Sequence, residues 1–260
     1  LLGWSRGGQI GYAYLNNETQ IPGGFRNVAG FIPVDIYLKT DDAGLRQLAC
    51  DRLPLEQAQL AGGTFSSQNG VLISTLGYLA LTAPDDLVPP PLNGLFPAGY
   101  TNRNAALTVG AATFALANPV PLYHFTGGVF DAEFKPVDLL YTDDLAFLSF
   151  ETTASPFQPF KELVDADITT CDNPALGDVT WDDNLADIEV PVLYVGAGGG
   201  FGEYGIYTTT LLGSTDVTTH VVSLVPPAAR LFDFGHADLF LAGDAPALVW
   251  QPILDWLQAH

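Results

Sequence analysis

Near the start of the chain, Gly3-Trp4-Ser5-Arg6-Gly7 spells G-x-S-x-G, the pattern of a sharp strand-to-helix turn that lifts a serine hydroxyl clear of its own backbone. Small residues two positions before and two after the serine let the chain double back. Leu1-Leu2 ahead of it and Gln9-Ile10-Gly11-Tyr12-Ala13-Tyr14 behind it read as a strand end, a glycine-rich turn and a helix, which is the context such a turn requires. A serine hydroxyl is a weak nucleophile until a neighbouring base takes its proton. The helix amino terminus beneath it favours negative charge developing on an attacked oxygen, and the backbone N–H of Arg6 is placed to be one oxyanion donor. Four histidines compete for the role of base. His236, within Leu231-Phe232-Asp233-Phe234-Gly235-His236-Ala237-Asp238-Leu239-Phe240, follows the last expected strand and precedes the last expected helix. His124 lies in a different segment, His220 sits inside a strand pattern, and His260 is the final residue.

A base of this kind needs a carboxylate to orient it, and two positions compete. Asp35 ends the apolar run Gly30-Phe31-Ile32-Pro33-Val34-Asp35, and Glu203 follows the loop Gly196-Ala197-Gly198-Gly199-Gly200-Phe201-Gly202. Asp35 is favoured over Glu203 by its position under the logic of a triad. The glycine loop lacks the Lys-Ser/Thr ending of a phosphate cradle and is expected to line the floor of the site instead. Trp4 and Phe201, beside the nucleophile and in that loop, are the expected substrate-facing aromatics. No Cys and His spacing suits a metal, and the pairs Asp41-Asp42, Asp85-Asp86, Asp143-Asp144 and Asp182-Asp183 read as helix starts and turns.

The elements that must position these groups alternate. A strand over 28–35 follows the first helix; Val190-Pro191-Val192-Leu193-Tyr194-Val195 is a buried parallel strand by its β-branched run. A helix over 204–213, a strand over 217–224 and a closing helix over 244–258 complete the order. That last helix is expected to be capped by Asp244 and to bury Leu248, Val249, Ile253, Leu254 and Leu257. From Tyr37 to Asp187 the character changes: helical patterns over 42–61, 67–82, 102–117 and 142–150 are separated by loops such as Val88-Pro89-Pro90-Pro91, with no sustained strand alternation. The expected division is a core of 1–36 with 188–260 and a mostly helical cap of 37–187. The cap is rich in aromatics, Tyr78, Phe96, Tyr100, Phe114, Tyr123, Phe125 and Phe130 among them, suited to core packing or to an apolar pocket over the nucleophile.

With Ser before acid before His, the whole chain resembles the α/β-hydrolase family from its nucleophile strand onward. The resemblance implies an α/β fold with a mostly parallel sheet and a helical cap insertion, in which Ser5 attacks an acyl carbon, His236 shuttles the proton and a carboxylate orients the imidazole. It implies an esterase or lipase-like activity on a small apolar ester or acyl substrate, with no cofactor; peptidase, amidase, thioesterase and carbon-carbon hydrolase chemistry stay open because the cap sets the substrate. A serine nucleophile argues against dehalogenases and epoxide hydrolases. The family's usual acid position, after Val190–Val195, falls near Gly199, where no Asp stands; some relatives carry the acid at the end of the preceding strand, as Asp35 would. The loop giving the second oxyanion N–H, and the first strands of the sheet, have no counterpart here, so an upstream segment or partner chain is expected to complete the sheet. A non-catalytic binding protein on the same scaffold is the alternative.

Composition sets the bounds. At 260 residues and 48% hydrophobic, the chain can bury one large core. With 29 acidic against 9 basic side chains, a net charge of −20 disfavours nucleic acid and anionic membranes, and no apolar run approaches the ~18 residues of a membrane span. The first residues lack the pattern of a signal peptide. Cys50 and Cys171 suit either one disulfide or two buried thiols; few lysines and a disulfide would lean toward a secreted or periplasmic setting.

Overall fold

The computed structural model of the protein describes residues 1–23, 26–113 and 123–260. In chain order its elements begin with β1 (Leu2–Trp4), α1 (Arg6–Glu18), β2 (Ile32–Val34), α2 (Ala43–Ala61), β3 (Ser66–Ser67), α3 (Asn69–Thr82) and α4 (Asn102–Ala111). They continue with β4 (Gly128–Phe130), β5 (Pro136–Leu139), α5 (Asp144–Thr152), β6 (Gln158–Pro159), α6 (Phe160–Cys171) and β7 (Val192–Ala197). After these come α7 (Gly202–Thr209), β8 (Val217–Val222), α8 (Asp238–Leu241) and α9 (Gln251–Ala259).

The fold is α/β. Four strands form one sheet in the order β1-β2-β7-β8, all parallel, with Trp4 beside Val34, Val34 beside Val195 and Val195 beside His220. Strand β7 is central and buried at every residue, which is why its sequence is a continuous apolar run rather than an alternation. Successive β7 side chains point to opposite faces. Leu193 and Val195 join Ile32, Val34, Phe234, Val249, Ile253 and Trp256 on one side; Val192 joins Tyr12, Leu15, Phe31 and Ile188 of the α1 side on the other. Helices therefore cover both faces, and every parallel crossover delivers a strand's carboxyl end to the same edge. β1 is an edge strand, and Leu1 and Leu2 are 50% and 43% exposed.

The expected helices between β2 and β7 start where local side chains cap them. Asp42 caps α2 by accepting from the Leu45 N–H at 2.9 Å, and Asp143 caps α5 by accepting from the Ala146 N–H at 3.0 Å. Thr101 and Asn104 make a reciprocal capping box on α4. Helices α3, α4 and α5 share a core of Leu76, Ala80, Ala105, Ala106, Val109 and Leu148. Positions 114–117 of the helix expected over 102–117, and Phe114 itself, lie outside the described residues, as does Gly24 of the first loop. Helix α6 is an element the sequence pattern does not announce. It starts after Pro159 with no capping side chain and ends in β-branched Thr169-Thr170, yet Phe160, Leu163, Val164, Ile168 and Cys171 lie on one face against α2. Two short antiparallel pairs, β3 with β6 and β4 with β5, add strands where none was expected.

Cys50 and Cys171 are joined as a disulfide between α2 and α6. The link closes 121 residues of sequence, so replacing both cysteines by serine should lower stability by about 2–4 kcal/mol. Urea denaturation under oxidising conditions measures this; an unchanged midpoint would contradict the link.

The closing helix departs from expectation. Asp244 makes no side-chain cap; residues Pro246–Trp250 form a π turn in which the Gln251 N–H reaches the carbonyl of Pro246. Pro252 has no N–H to continue an α pattern, and the wider turn rotates the rest of the helix. The buried face is Val249, Ile253 and Trp256, while Leu254 and Leu257 are 46% and 55% exposed. Among the described residues, no helix is long and apolar enough to cross a membrane.

Candidate active site

Ser5 sits at the carboxyl end of β1 with φ 53° and ψ −126°, a conformation that costs a non-glycine residue about 1–3 kcal/mol and persists only where surroundings impose it. Its N–H donates to the carbonyl of Val34 at 2.9 Å, tying the turn to the adjacent strand. The chain doubles back so closely that a Cβ on Gly3 would stand 2.2 Å from the carbonyl oxygen of Gly7. The other motif glycine differs from expectation: a Cβ on Gly7 would meet nothing within 4 Å, whereas one on Gly8 would meet Ile36 at 2.5 Å. Arg6 opens α1, so its backbone N–H has no acceptor within the helix.

Asp35 follows β2 at once, with φ 46°. Its own N–H donates to the carbonyl of Val195 at 2.7 Å, which fixes the residue over the end of β7. The carboxylate is fully buried. Oδ1 accepts from the N–H groups of Ala197 and Phe201 at 2.8 and 3.0 Å, and Oδ2 stands 2.7 Å from Nδ1 of His236. The glycine loop makes room for this carboxylate and two neighbours. A Cβ on Gly200 would fall 2.1 Å from Asp35 Oδ2, one on Gly199 would fall 2.2 Å from the His124 ring, and one on Gly198 would fall 2.1 Å from Asp233. Gly200→Ala should therefore push the carboxylate off its position and lower kcat/KM by roughly 10²-fold for any reaction that depends on the Asp35–His236 pair. Steady-state kinetics beside a thermal melt would separate this from unfolding; full activity would contradict the geometry.

His236 is 1% exposed. Trp4, the residue before Ser5, stacks on the imidazole at 4.5 Å between centroids, and its Nε1 donates to the His236 carbonyl at 3.3 Å. Tyr123, Phe125 and Phe201 surround the ring at 5.5, 5.6 and 5.5 Å. The His236 N–H donates to the carbonyl of His124 at 3.0 Å, so the 123–127 loop holds the histidine loop in place. With Nδ1 engaged by Asp35, Nε2 is the nitrogen left for Ser5. Among the described residues neither Nε2 nor Ser5 Oγ makes a hydrogen bond, leaving both for a bound molecule or for each other.

Asp238 joins the two loops. Its Oδ2 accepts from the N–H groups of Gly127 and Gly235 at 2.8 and 2.7 Å, and the Thr142 hydroxyl donates to Oδ1 at 2.6 Å. Burial outweighs these bonds and pushes the carboxyl up to about 6. A carboxyl raised on folding binds its proton more tightly in the folded state, so stability falls as pH rises from the unfolded value near 4 to about 6 and is flat above. Asp238→Asn should remove this slope, worth up to ~3 kcal/mol. Denaturation midpoints at pH 4 and pH 7 would show it; identical slopes in both proteins would count against the assignment.

The other sequence candidates fall elsewhere. Glu203, the alternative acid, does not reach His236: its side chain is 68% exposed and lies 3.4 Å from Arg230 Nη1. It starts α7 and points outward, while Arg230 Nη2 donates to the Gly200 carbonyl at 2.7 Å. Buried His124 has Nε2 2.9 Å from the Asp233 carbonyl, His220 Nε2 is 2.7 Å from the Leu248 carbonyl, and His260 lies 3.2 Å from Asp216. Of the described aromatics expected in the 37–187 segment, Tyr123 and Phe125 pack on His236, whereas Tyr78 is 61% exposed and Phe96 and Tyr100 pack against α3 and α4. Among the described residues no group of three or more His, Cys, Asp or Glu is arranged to hold a metal.

The residues sequence reasoning passed over are His124 and Asp238. The only local signal was the carboxylate two positions after His236; that the 123–127 loop lies against it is a tertiary fact. Comparison with protein-family models and with curated proteins returns no match, so the site's own geometry carries its functional reading.

Proposed function

We propose that the protein is a serine hydrolase built on the α/β-hydrolase plan, cleaving an ester or related acyl bond through an acyl-enzyme on Ser5. The observation that carries the reading is the 2.7 Å contact between His236 Nδ1 and Asp35 Oδ2, buried beside the strained Ser5 turn. Strand order supports it: Ser5 follows β1, Asp35 follows β2 and His236 follows β8, all on one edge of a parallel sheet. On this reading Asp35 takes the role of the acid missing after β7, whose absence there is what favours the non-catalytic alternative.

In this mechanism Asp35 holds the Nδ1 proton, leaving the lone pair of Nε2 toward Ser5. Nε2 takes the hydroxyl proton as Oγ attacks the acyl carbon, and the Arg6 N–H stabilises the oxyanion. The C–O bond breaks and the imidazolium protonates the departing alkoxide. Water, deprotonated by the same nitrogen, then releases the acid and restores Ser5. No cofactor enters these steps. Trp4 and Phe201 line the substrate side, and the helices of 37–187 are read as its cap.

The test is pre-steady-state hydrolysis of 4-nitrophenyl butyrate. A burst of nitrophenol equal to the enzyme concentration is expected when deacylation is slow. Absence of turnover across acyl lengths would remove the reading.

A further inference from the structure

We infer that the substrate carries a negative charge, a carboxylate or similar anion, which the guanidinium of Arg6 receives beside the nucleophile. This rests on the serine-hydrolase reading and specifies its substrate class.

The chain has only 9 basic side chains against 29 acidic ones, and almost every base is matched. Lys39, Arg52, Arg103, Lys135, Lys161 and Arg230 each lie within 4.0 Å of a carboxylate. Arg26 donates to the carbonyls of Thr19 and Ile21, and Arg46 is exposed to water. Arg6 is the exception. It is partly buried, its Nη1 is sealed from solvent without a hydrogen-bond partner, and among the described residues no carboxylate lies within 4.0 Å of it. In an acidic protein, a cation left unpaired directly after the nucleophile is an unfilled half of an ion pair.

The surroundings agree. Burial lowers the affinity of Arg6 for its proton, against the opposing fields of Glu162, Asp167 and Tyr123. The nearer claimants are not available to it: Asp167 is held by both Nε and Nη2 of Arg52, and Glu162 is too far for a contact. Tyr123 shares the space, its hydroxyl also without a hydrogen bond among the described residues. Burial keeps that phenol protonated, so it too offers a donor. Tyr123 packs 5.5 Å from the His236 ring and acts on Arg6, which directly follows Ser5 in the chain; an arginine and a phenol, both donors, so placed suit an anionic oxygen group. The walls of Trp4, Phe201 and Phe125 take the carbon skeleton. An unfilled buried guanidinium is costly for folding alone, and a substrate anion would offset that cost.

The test compares paired esters of equal length: the mono(4-nitrophenyl) ester of adipic acid against 4-nitrophenyl hexanoate for an acyl-side anion, and 4-carboxyphenyl butyrate against phenyl butyrate for an alcohol-side anion. In one pair kcat/KM should favour the anionic ester by about 10- to 100-fold, the scale of a charge-assisted hydrogen bond, and less at 1 M salt. Arg6→Gln should bring the ratio to one or below, since Glu162, Asp167 and the net charge then repel the anion; Arg6→Lys should keep part of it. Ratios near one in both pairs for the wild-type protein would overturn the inference while leaving the hydrolase reading intact, and this outcome does not depend on any variant folding. No turnover of any ester would overturn both.

Discussion

On the proposed serine-hydrolase reading, replacing Ser5 by alanine should abolish ester hydrolysis, with kcat lowered by about 10⁴- to 10⁶-fold, the range seen when a nucleophile is removed from a Ser-His-acid constellation. The expectation follows from how much of the molecule is spent on that one hydroxyl. Ser5 occupies a positive-φ turn, tied to Val34 and made sterically accessible by Gly3 and Gly8. Alanine retains the turn's steric demands and loses only the oxygen, so the thermal midpoint should change little. Rates with 4-nitrophenyl butyrate, read beside a melt, test the point. Wild-type activity in Ser5→Ala would mean that another group does the chemistry.

Asp35→Asn carries the second largest effect, a drop in kcat of roughly 10⁴-fold. Oδ1 is committed to the N–H groups of Ala197 and Phe201, so an asparagine must place its carbonyl there and its NH2 toward His236. Nδ1 would then have to accept rather than donate, moving the ring proton to Nε2, where it blocks the base. Glu203→Gln is the natural control: on an exposed side chain paired with Arg230, it should alter kcat by less than about twofold. Equal losses from Asp35→Asn and Glu203→Gln would mean the acid is wrongly assigned.

Much of this arrangement was legible in the sequence because the signals are local. A glycine-flanked serine between a strand end and a helix, an aspartate closing an apolar run, and a histidine between the last strand and last helix each announce themselves within a few residues. The same holds for α2 and α5, whose caps Asp42 and Asp143 belong to carboxylate pairs read as helix starts and turns. What stayed hidden is tertiary. The glycines of 198–200 look like a flexible loop in sequence, yet each one makes room for a buried side chain from elsewhere: Asp233, His124 and Asp35. The choice between Asp35 and Glu203 depended on which carboxylate points inward, and only the bonds from Ala197 and Phe201 decide that. The final helix misled because a single proline, Pro252, converts the preceding turn and rotates the apolar face. That no carboxylate among the described residues lies within 4.0 Å of Arg6 required knowing where the carboxylates of the fold lie.

Whether Ser5 is an activated nucleophile decides the hydrolase reading. The direct measurement is to treat the protein with a fluorophosphonate probe, digest it and locate the adduct by mass spectrometry, with His236→Ala and Asp35→Asn in parallel. Stoichiometric labelling on Ser5, strongly slowed in both variants, is the predicted result. An unlabelled protein, or Ser5 labelling at the same rate with and without His236, would contradict it.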